Sequence, residues 1–488
     1  MAVAIAFRVY ALGRLPGING DEAWYGVQAE HWLAGAAGQW RTPSGNIPGP
    51  LHLGLLTLLQ LVAKPSFVLL RLPSLLSSLA AMALTYGAVR RYFDRPTAAM
   101  ALVIMAVLPV NIVYARFGWD PSHSGLIDMG AAAFALAGNP LGCALVFALA
   151  LAVHPTNIFV APFLVLAFAG ADVARRGWKG AILRTAMLVA MLGAATTVLA
   201  VTASVERAAD VPASFLDRLS QPDQWGAFVL LYLRLLTGDT SLISVVGIGL
   251  GAARDPAEIV LAGLLFGLSV TAVVSISRRR ASLEAGILLG WMASLLLFFV
   301  FAGDAAISPH FERYAVCLIV PTVLALVVLL RELGERGAHW RRPFAVVGVA
   351  AFLALLGFWQ HYFVALETTG STSHQTFWTG AHEPKEVAFE RIAAASPDGA
   401  RIVAENWWLY WPLTYLAAGH PLEVDRERLS PGPAPAGGTY WVVFPGGDMD
   451  RWLAAGHIAR PRWNIAGVAR PVSVRVWWVP RGAPLPRS

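Results

Sequence analysis

Charge is what this chain has least of. Asp, Glu, Lys and Arg make up 14% of its 488 residues, against 57% apolar. A soluble protein of this length needs far more charge to cover its surface, so water is not the main solvent. Cysteine is nearly absent. Cys143 and Cys317 lie inside apolar runs, which excludes a disulfide framework and reads as two small buried side chains. No spacing of His, Cys, Asp and Glu resembles a metal site, and no Gly-rich loop could cradle a phosphate. No cofactor is therefore expected, with a divalent metal left open. The net charge of +7 sits in short clusters between apolar runs, so nucleic acid is not an expected partner.

Long apolar runs are what the chain has instead. A hydrocarbon core about 30 Å thick asks for roughly 20 residues per spanning helix. Residues 66–90, 96–114, 185–204, 257–277, 282–302, 313–331 and 344–364 meet or approach that length, and 124–138, 141–153 and 156–171 are shorter candidates. The basic clusters Arg90-Arg91-Arg95, Arg175-Arg176-Lys179-Arg184, Arg278–Arg280 and Arg331-Arg336-Arg341-Arg342 fix orientation if all are cytoplasmic. One parity satisfies all four. The loops 16–65, 115–123, 205–256 and 303–312 then face outward with everything after 365. Within 205–256, Phe228–Leu236 and Ser241–Ala252 read either as surface helices or as two short spans, giving about 11 or about 13 spans in total. Met1–Phe7 is too short for a span ahead of Arg8, so a first helix cut short is expected, and no cleavable signal peptide is visible.

The first outward loop is polar and aromatic. Asp21–Leu33 predicts an amphipathic surface helix with Trp24, Tyr25 and Trp32 at the interface, and Leu51–Ala63 a second interfacial or re-entrant helix. The expected division is a transmembrane domain over 1–364 and a soluble α/β domain over 365–488. In the latter, Arg401–Glu405, Thr439–Phe444 and Val472–Val479 read as strands, and Pro384–Ala395, Trp408–Ala418 and Asp448–Ala455 as helices. The fold class is an α-helical polytopic membrane protein with a small C-terminal α/β extracytoplasmic domain.

Carboxylates are rare enough that those in outward loops are candidate site residues. Asp21 and Glu22 open the first loop, Asp120 lies in the second, and Asp304 and Glu312 flank the late one. A carboxylate there can take a proton from an attacking hydroxyl or amine, and Arg116, His310 and Arg313 can hold an anionic leaving group. Plainer readings stand beside these. Asp21-Glu22 also suits a helix N-terminus, and Asp120-Pro121 an N-cap followed by proline at the first helical position. Arg116 also suits a lipid-headgroup anchor. His154-Pro-Thr-Asn157 reads as a structural hydrogen bond, and His123 as a polar loop residue.

The motifs, in order, are Arg8…Leu12-Gly-Arg-Leu15, Asp21-Glu-Ala-Trp-Tyr25, Gly49-Pro-Leu-His52 and Arg71-Leu-Pro-Ser74. They continue through Tyr86-Gly87, Arg90-Arg-Tyr-Phe93, Leu108-Pro109, Tyr114-Ala-Arg116, Trp119-Asp-Pro121, Glu312-Arg-Tyr314…Pro321 and Ala404-Glu-Asn-Trp-Trp-Leu-Tyr-Trp411. This series resembles the glycosyltransferase C superfamily, in particular the bacterial branch with the lipid A aminoarabinose transferases and relatives of the protein O-mannosyltransferases. The resemblance touches most of the chain and is strongest over the first 125 residues. One departure is that those aminoarabinose transferases carry a lysine just before a Pro-Pro-Leu, where this chain has Ile47-Pro-Gly-Pro50.

The resemblance implies transfer of a sugar from a polyprenyl-phosphate carrier to a glycan, lipid or protein acceptor on the outer face of a bacterial plasma membrane, with inversion. By analogy Asp21 is the first choice for the catalytic carboxylate and Asp120 the second. Glu22, Tyr25, Arg116, His310 and Arg313 are the expected substrate-binding residues, and membrane lipids the surrounding partner. The rival class is a transporter or flippase. Transporters place charge and broken helices near the midplane, often in repeated halves, whereas here the spans are nearly charge-free and no repeat is found. A third reading is a scaffold that binds lipid-linked sugar without reacting.

Overall fold

The computed structural model describes residues 2–36, 42, 48–202, 220–249, 266, 269–270, 273–274, 282–302, 309–336, 341–426, 435–455 and 460–479, without the side chains of 201–202, 222–223, 309–312, 333–336, 341–344, 346–347 and 460. The chain opens with helices α1 (Ala2–Val9), α2 (Gly20–Leu33), α3 (Pro50–Gln60) and α4 (Phe67–Tyr92). Next come α5 (Arg95–Val107), α6 (Pro109–Tyr114), α7 (Ser124–Leu136), α8 (Pro140–Val153) and α9 (Ala161–Thr202). Among the described residues, five helices are long and apolar enough to cross a membrane: Phe67–Tyr92, Pro155–Ala200, Ser282–Phe301, Arg313–Glu332 and Gly348–Thr369. The pair Gln224–Thr237 and Asp239–Val246, bent by 86°, adds a sixth if it is one span. The chain is thus a polytopic helical membrane protein that carries a small sheet domain.

Several expected spans are bent or broken for local reasons. The run 96–114 divides at Leu108, because Pro109 has no N–H for the turn before it and starts α6 instead. The 46 residues of Pro155–Ala200 exceed by about twofold what a bilayer needs. They divide at Gly177, whose φ of 72° only glycine adopts without strain. That break lies inside the Arg175–Arg184 cluster. Arg176 and Arg184 pair there with buried Asp172, and Arg175 donates to the Leu136 carbonyl at the end of α7, where a cation meets the negative helix terminus. The span expected from 313 begins as a 3₁₀ helix, Pro309–Leu318, and becomes α-helical at Ile319. The last span, Arg341–Phe358, runs through a π turn to Thr369, past the anticipated boundary at 364. Most of the run 257–277, Asp304 and most of 205–221 lie outside the described residues. Both cysteines are buried and free.

The C-terminal sheet has the order β2-β1-β3-β5-β4, built from β1 (Ala400–Ala404), β2 (Leu422–Arg426), β3 (Thr439–Val443), β4 (Arg460–Ile465) and β5 (Val474–Val479). β1 pairs in parallel with β2 and β3, while β5 runs antiparallel to β3 and β4. Alternate residues feed two layers, as a two-residue period requires. Ile402, Ala404, Tyr440, Val442 and Val476 face the helices Pro384–Ala395 and Trp407–Leu416. Val403, Trp441, Val443 and Trp477 face Leu453 of the helix Asp448–Ala455. β1 and β3 are consequently buried on both faces. The helix Trp407–Leu416 lies along α2, and this contact joins the sheet domain to the first loop.

Candidate active site

The first loop is held by two arginines that spend their donors on backbone carbonyls. Arg71, on α4, donates to the carbonyls of Leu12, Leu15, Pro16 and Gly17 at 2.9–3.4 Å. It also forms a two-pronged pair with Glu22 at 2.7 and 2.8 Å, both side chains being fully buried. Glu22 further accepts from the Asn19 N–H at 3.1 Å, closing a capping box at the start of α2, and from the Gly118 N–H at 2.8 Å. Gly118 is required for that approach, since a Cβ there would lie 2.4 Å from the Leu70 carbonyl oxygen. Arg116 donates to the carbonyls of Phe7, Arg8 and Leu15 at 2.6–3.1 Å and lies 4.9 Å from the Phe363 ring centroid.

A helix turns about 100° per residue, so Asp21 and Glu22 leave α2 in different directions. Glu22 enters the core. Asp21 lies one turn before Tyr25, on the same face of α2. The Tyr25 hydroxyl donates to Asp120 Oδ2, and the Gly49 N–H donates to the same oxygen at 2.9 Å. Asp120 Oδ1 is buried without a hydrogen-bond partner. Burial raises the Asp120 carboxyl from 3.8 to about 7, even though the Tyr25 and Gly49 bonds favour the charged form. Tyr25 is held well above its ordinary value by burial and then by the charge and hydrogen bond of Asp120, with the Asp21 charge adding to the shift. It therefore stays a phenol, bonded to one carboxylate and within electrostatic reach of the other.

A second chain of polar groups lies against the Tyr25 ring. His52, edge-on to Tyr25 with centroids 5.0 Å apart, places Nδ1 2.9 Å from His123 Nε2. His123 Nδ1 is 2.7 Å from Ser77 Oγ. Burial depresses His123 to about 3; burial and then the neighbouring His123 hold His52 well below its ordinary value. Both rings are neutral at physiological pH and act as a rigid seat for Tyr25.

Asp21 is partly exposed. The C-terminal sheet domain reaches it: Trp407 Nε1 donates to Asp21 Oδ1 at 3.2 Å. Burial raises the Asp21 carboxyl, while the positive charge of Arg313 and the Trp407 hydrogen bond pull it back. Arg313 stands over Trp119 and Tyr314, 5.9 and 5.2 Å from the ring centroids. The domain is fastened on both sides of this contact. The Ile18 N–H donates to Glu383 at 3.1 Å, the Gly17 N–H to the Phe377 carbonyl at 3.2 Å, and the Ser66 N–H to the Tyr415 hydroxyl at 3.2 Å.

Of the expected site residues, Asp21, Asp120 and Tyr25 come together, with Arg313 beside Asp21. Glu22 and Arg116, expected to touch substrate, are instead spent inside the protein on Arg71 and on backbone carbonyls. Tyr25 and Trp24, expected at the lipid interface, are buried beneath the sheet domain and α4; only Trp32 of the three is open, at 37% exposure. Asp120 does not cap α7: it begins a 3₁₀ turn, Asp120–His123, and points to Tyr25. His123 is no loop residue but fully buried. His154 makes the expected local bond, to Thr156 at 2.7 Å. His310 lies outside the described side chains. Ser77, His52 and Trp407 were missed as partners, since nothing in their local sequence marks a contact made across 46 to 386 residues.

The Asp120 shift has a consequence for stability. The folded carboxyl titrates at about 7 and the unfolded one near 3.8. Its contribution is fully present below 3.8 and is lost as pH rises through about 7. Asp120→Asn should flatten the fall of melting temperature between about pH 4 and 8, measured by thermal unfolding in detergent.

No family profile and no curated protein matches the chain by sequence. Among solved structures it is similar to ArnT from Cupriavidus metallidurans in the apo state, at 16% identity over 98% of this chain and 96% of that one, with a TM-score of 0.45. The same values hold for that protein bound to undecaprenyl phosphate. It is also similar to an oligosaccharyltransferase from Archaeoglobus fulgidus in complex with zinc and sulfate, at 15% identity over 86% of this chain and 61% of that one, with a TM-score of 0.48. At such distances the likeness is no argument about chemistry.

Proposed function

We propose that this chain is a membrane glycosyltransferase that moves a sugar from a polyprenyl-phosphate carrier to an acceptor on the outer face of a bacterial plasma membrane. The reading is carried by one observation: Asp21 and Asp120, nearly 100 residues apart, converge on Tyr25 between the apolar bundle and the soluble domain, with Arg313 beside Asp21. The motif series and the outward parity of these loops support it. A lipid donor suits the place, because its tail stays in hydrocarbon while its sugar phosphate reaches the polar loops.

Asp21 accepts the proton of the acceptor hydroxyl or amine as that group attacks the anomeric carbon opposite the phosphate. The bond from that carbon to the phosphate oxygen breaks, the carrier phosphate leaves with the electron pair, and the sugar is inverted. Arg313 supplies the positive charge for the departing anion. Asp120, with one oxygen fixed by Tyr25 and Gly49, offers its other oxygen to the sugar.

Incubating the purified protein in lipid with a panel of polyprenyl-phosphate sugars and candidate acceptors tests the reading. Release of free polyprenyl phosphate with an inverted product is the expected result; binding of a donor without turnover, across the panel, favours a transporter or scaffold. Tyr25→Phe should slow transfer about tenfold, since it removes a hydrogen bond to a carboxylate. Because that bond favours the charged form, the Asp120 limb of the pH–rate profile should move above its position near 7. An unchanged limb in Tyr25→Phe would remove Asp120 from the reacting centre.

A further inference from the structure

The soluble domain's contact with Asp21 goes beyond fastening. The helix Trp407–Leu416 starts at Asn406, whose side chain accepts from the Trp408 N–H at 3.0 Å, so its first residue is directed by the cap. The Trp407 indole lies against Gly20, where a Cβ would come within 2.7 Å of the indole Cδ1 and 2.9 Å of Nε1. Its ring is flanked by Trp411, edge-on at 5.5 Å, and by the Arg426 guanidinium at 5.8 Å. Two turns along the same helix, Tyr415 fills the space over Gly26, where a Cβ would come within 2.5 Å of its ring. The Tyr415 hydroxyl meets both the N–H and the carbonyl of Ser66. The helix is therefore fixed at both ends against the first loop, with the indole N–H aimed at Asp21.

We propose that Trp407 is a positioning residue: the soluble domain holds Oδ1 of Asp21 through the indole N–H and leaves Oδ2 to receive the acceptor's proton. This rests on the glycosyl-transfer reading for its catalytic meaning, but the hold on the carboxylate is measurable without turnover. The domain completes the site instead of merely roofing it. Among the described residues, the charged groups that act on Asp21 are Glu22 on its own helix and Arg313 across from it, with the neutral Trp407 indole from the C-terminal domain. The indole bond favours the carboxylate, so its loss must move the titration of Asp21 upward.

The test compares wild type with Trp407→Phe, which keeps an aromatic ring over Gly20 but has no N–H. Gly20→Ala displaces Trp407, indole and carbonyl together, without altering the side chain, and serves if the phenylalanine variant does not fold. Tyr415→Phe removes a fastening bond far from Asp21 and is the control for domain docking alone. In each, the Asp21 carboxyl band is titrated by difference infrared spectroscopy against the same protein carrying Asp21→Asn. Trp407→Phe and Gly20→Ala should shift that titration to higher pH, while Tyr415→Phe leaves it in place. Once a donor is identified, Trp407→Phe should lower kcat about tenfold with KM little changed. An unshifted Asp21 band in both indole variants, or an equal shift in Tyr415→Phe, overturns the proposal whether or not sugar transfer is found. Failure of the wild type to turn over any donor while the band still shifts sinks the transferase reading and leaves the positioning intact.

Discussion

Asp21→Asn should fold as the wild type does and lose sugar transfer by roughly 10²–10⁴-fold, the range that a positioned general base contributes. The side chain is partly exposed at the first turn of α2, and its one described hydrogen bond is accepted from Trp407. An asparagine keeps that acceptor oxygen, the shape and the helix start, since the cap itself belongs to Asn19 and Glu22. What it cannot do is take a proton. The loss should therefore fall on kcat and leave donor binding nearly unchanged. Thermal unfolding alongside a turnover assay checks both halves; a large drop in melting temperature would mean that Asp21 serves the fold instead.

The adjacent carboxylate should behave in the opposite way. Glu22→Gln leaves Arg71 fully buried without its counter-charge, and removing one partner of such a pair costs about 3–5 kcal/mol. Glu22 also accepts from Asn19 and Gly118, so α2, the 115–123 loop and α4 loosen together. Arg71→Met should cost more, because it additionally orphans the carbonyls of Leu12, Leu15, Pro16 and Gly17. Both variants are expected to show poor recovery and an early melt in size-exclusion and thermal-shift measurements. A well-folded Glu22→Gln that merely lost activity would return Glu22 to the substrate-binding role first expected for it.

This contrast marks where sequence reasoning stops. That Asp21 and Glu22 begin a helix is legible from their position before an apolar-periodic run. Which of the two faces the core depends on Arg71, 49 residues away. Arg116 misled for the same reason: an outward-loop arginine looks available for phosphate until the carbonyls of the N-terminal segment are seen to surround it. In the sheet domain, β1, β3 and β5 were legible because they are apolar and central. β2 and β4 were not. They are the two edges of the sheet, and edges carry charge and proline. Glu423 and Asp425 of β2 pair with Arg401, and β4 contains Pro461 and an irregularity between Pro461 and Trp463. The spans were legible from length and apolarity, but their breaks at Pro109 and Gly177 show how a single residue sets a boundary that a hydropathy window averages away.

The proposed transfer has a lipid-phosphate sugar react at the carboxylates gathered around Tyr25. Its most direct test is a single-turnover measurement in bilayers, with donor binding and polyprenyl-phosphate release followed in the same sample for wild type, Asp21→Asn and Asp120→Asn. Comparable donor binding is expected in all three, with rapid release by wild type, and release nearly abolished in Asp21→Asn and slowed in Asp120→Asn. Release at the wild-type rate by Asp21→Asn, or a wild type that binds donor and acceptor and never releases the carrier phosphate, would contradict it.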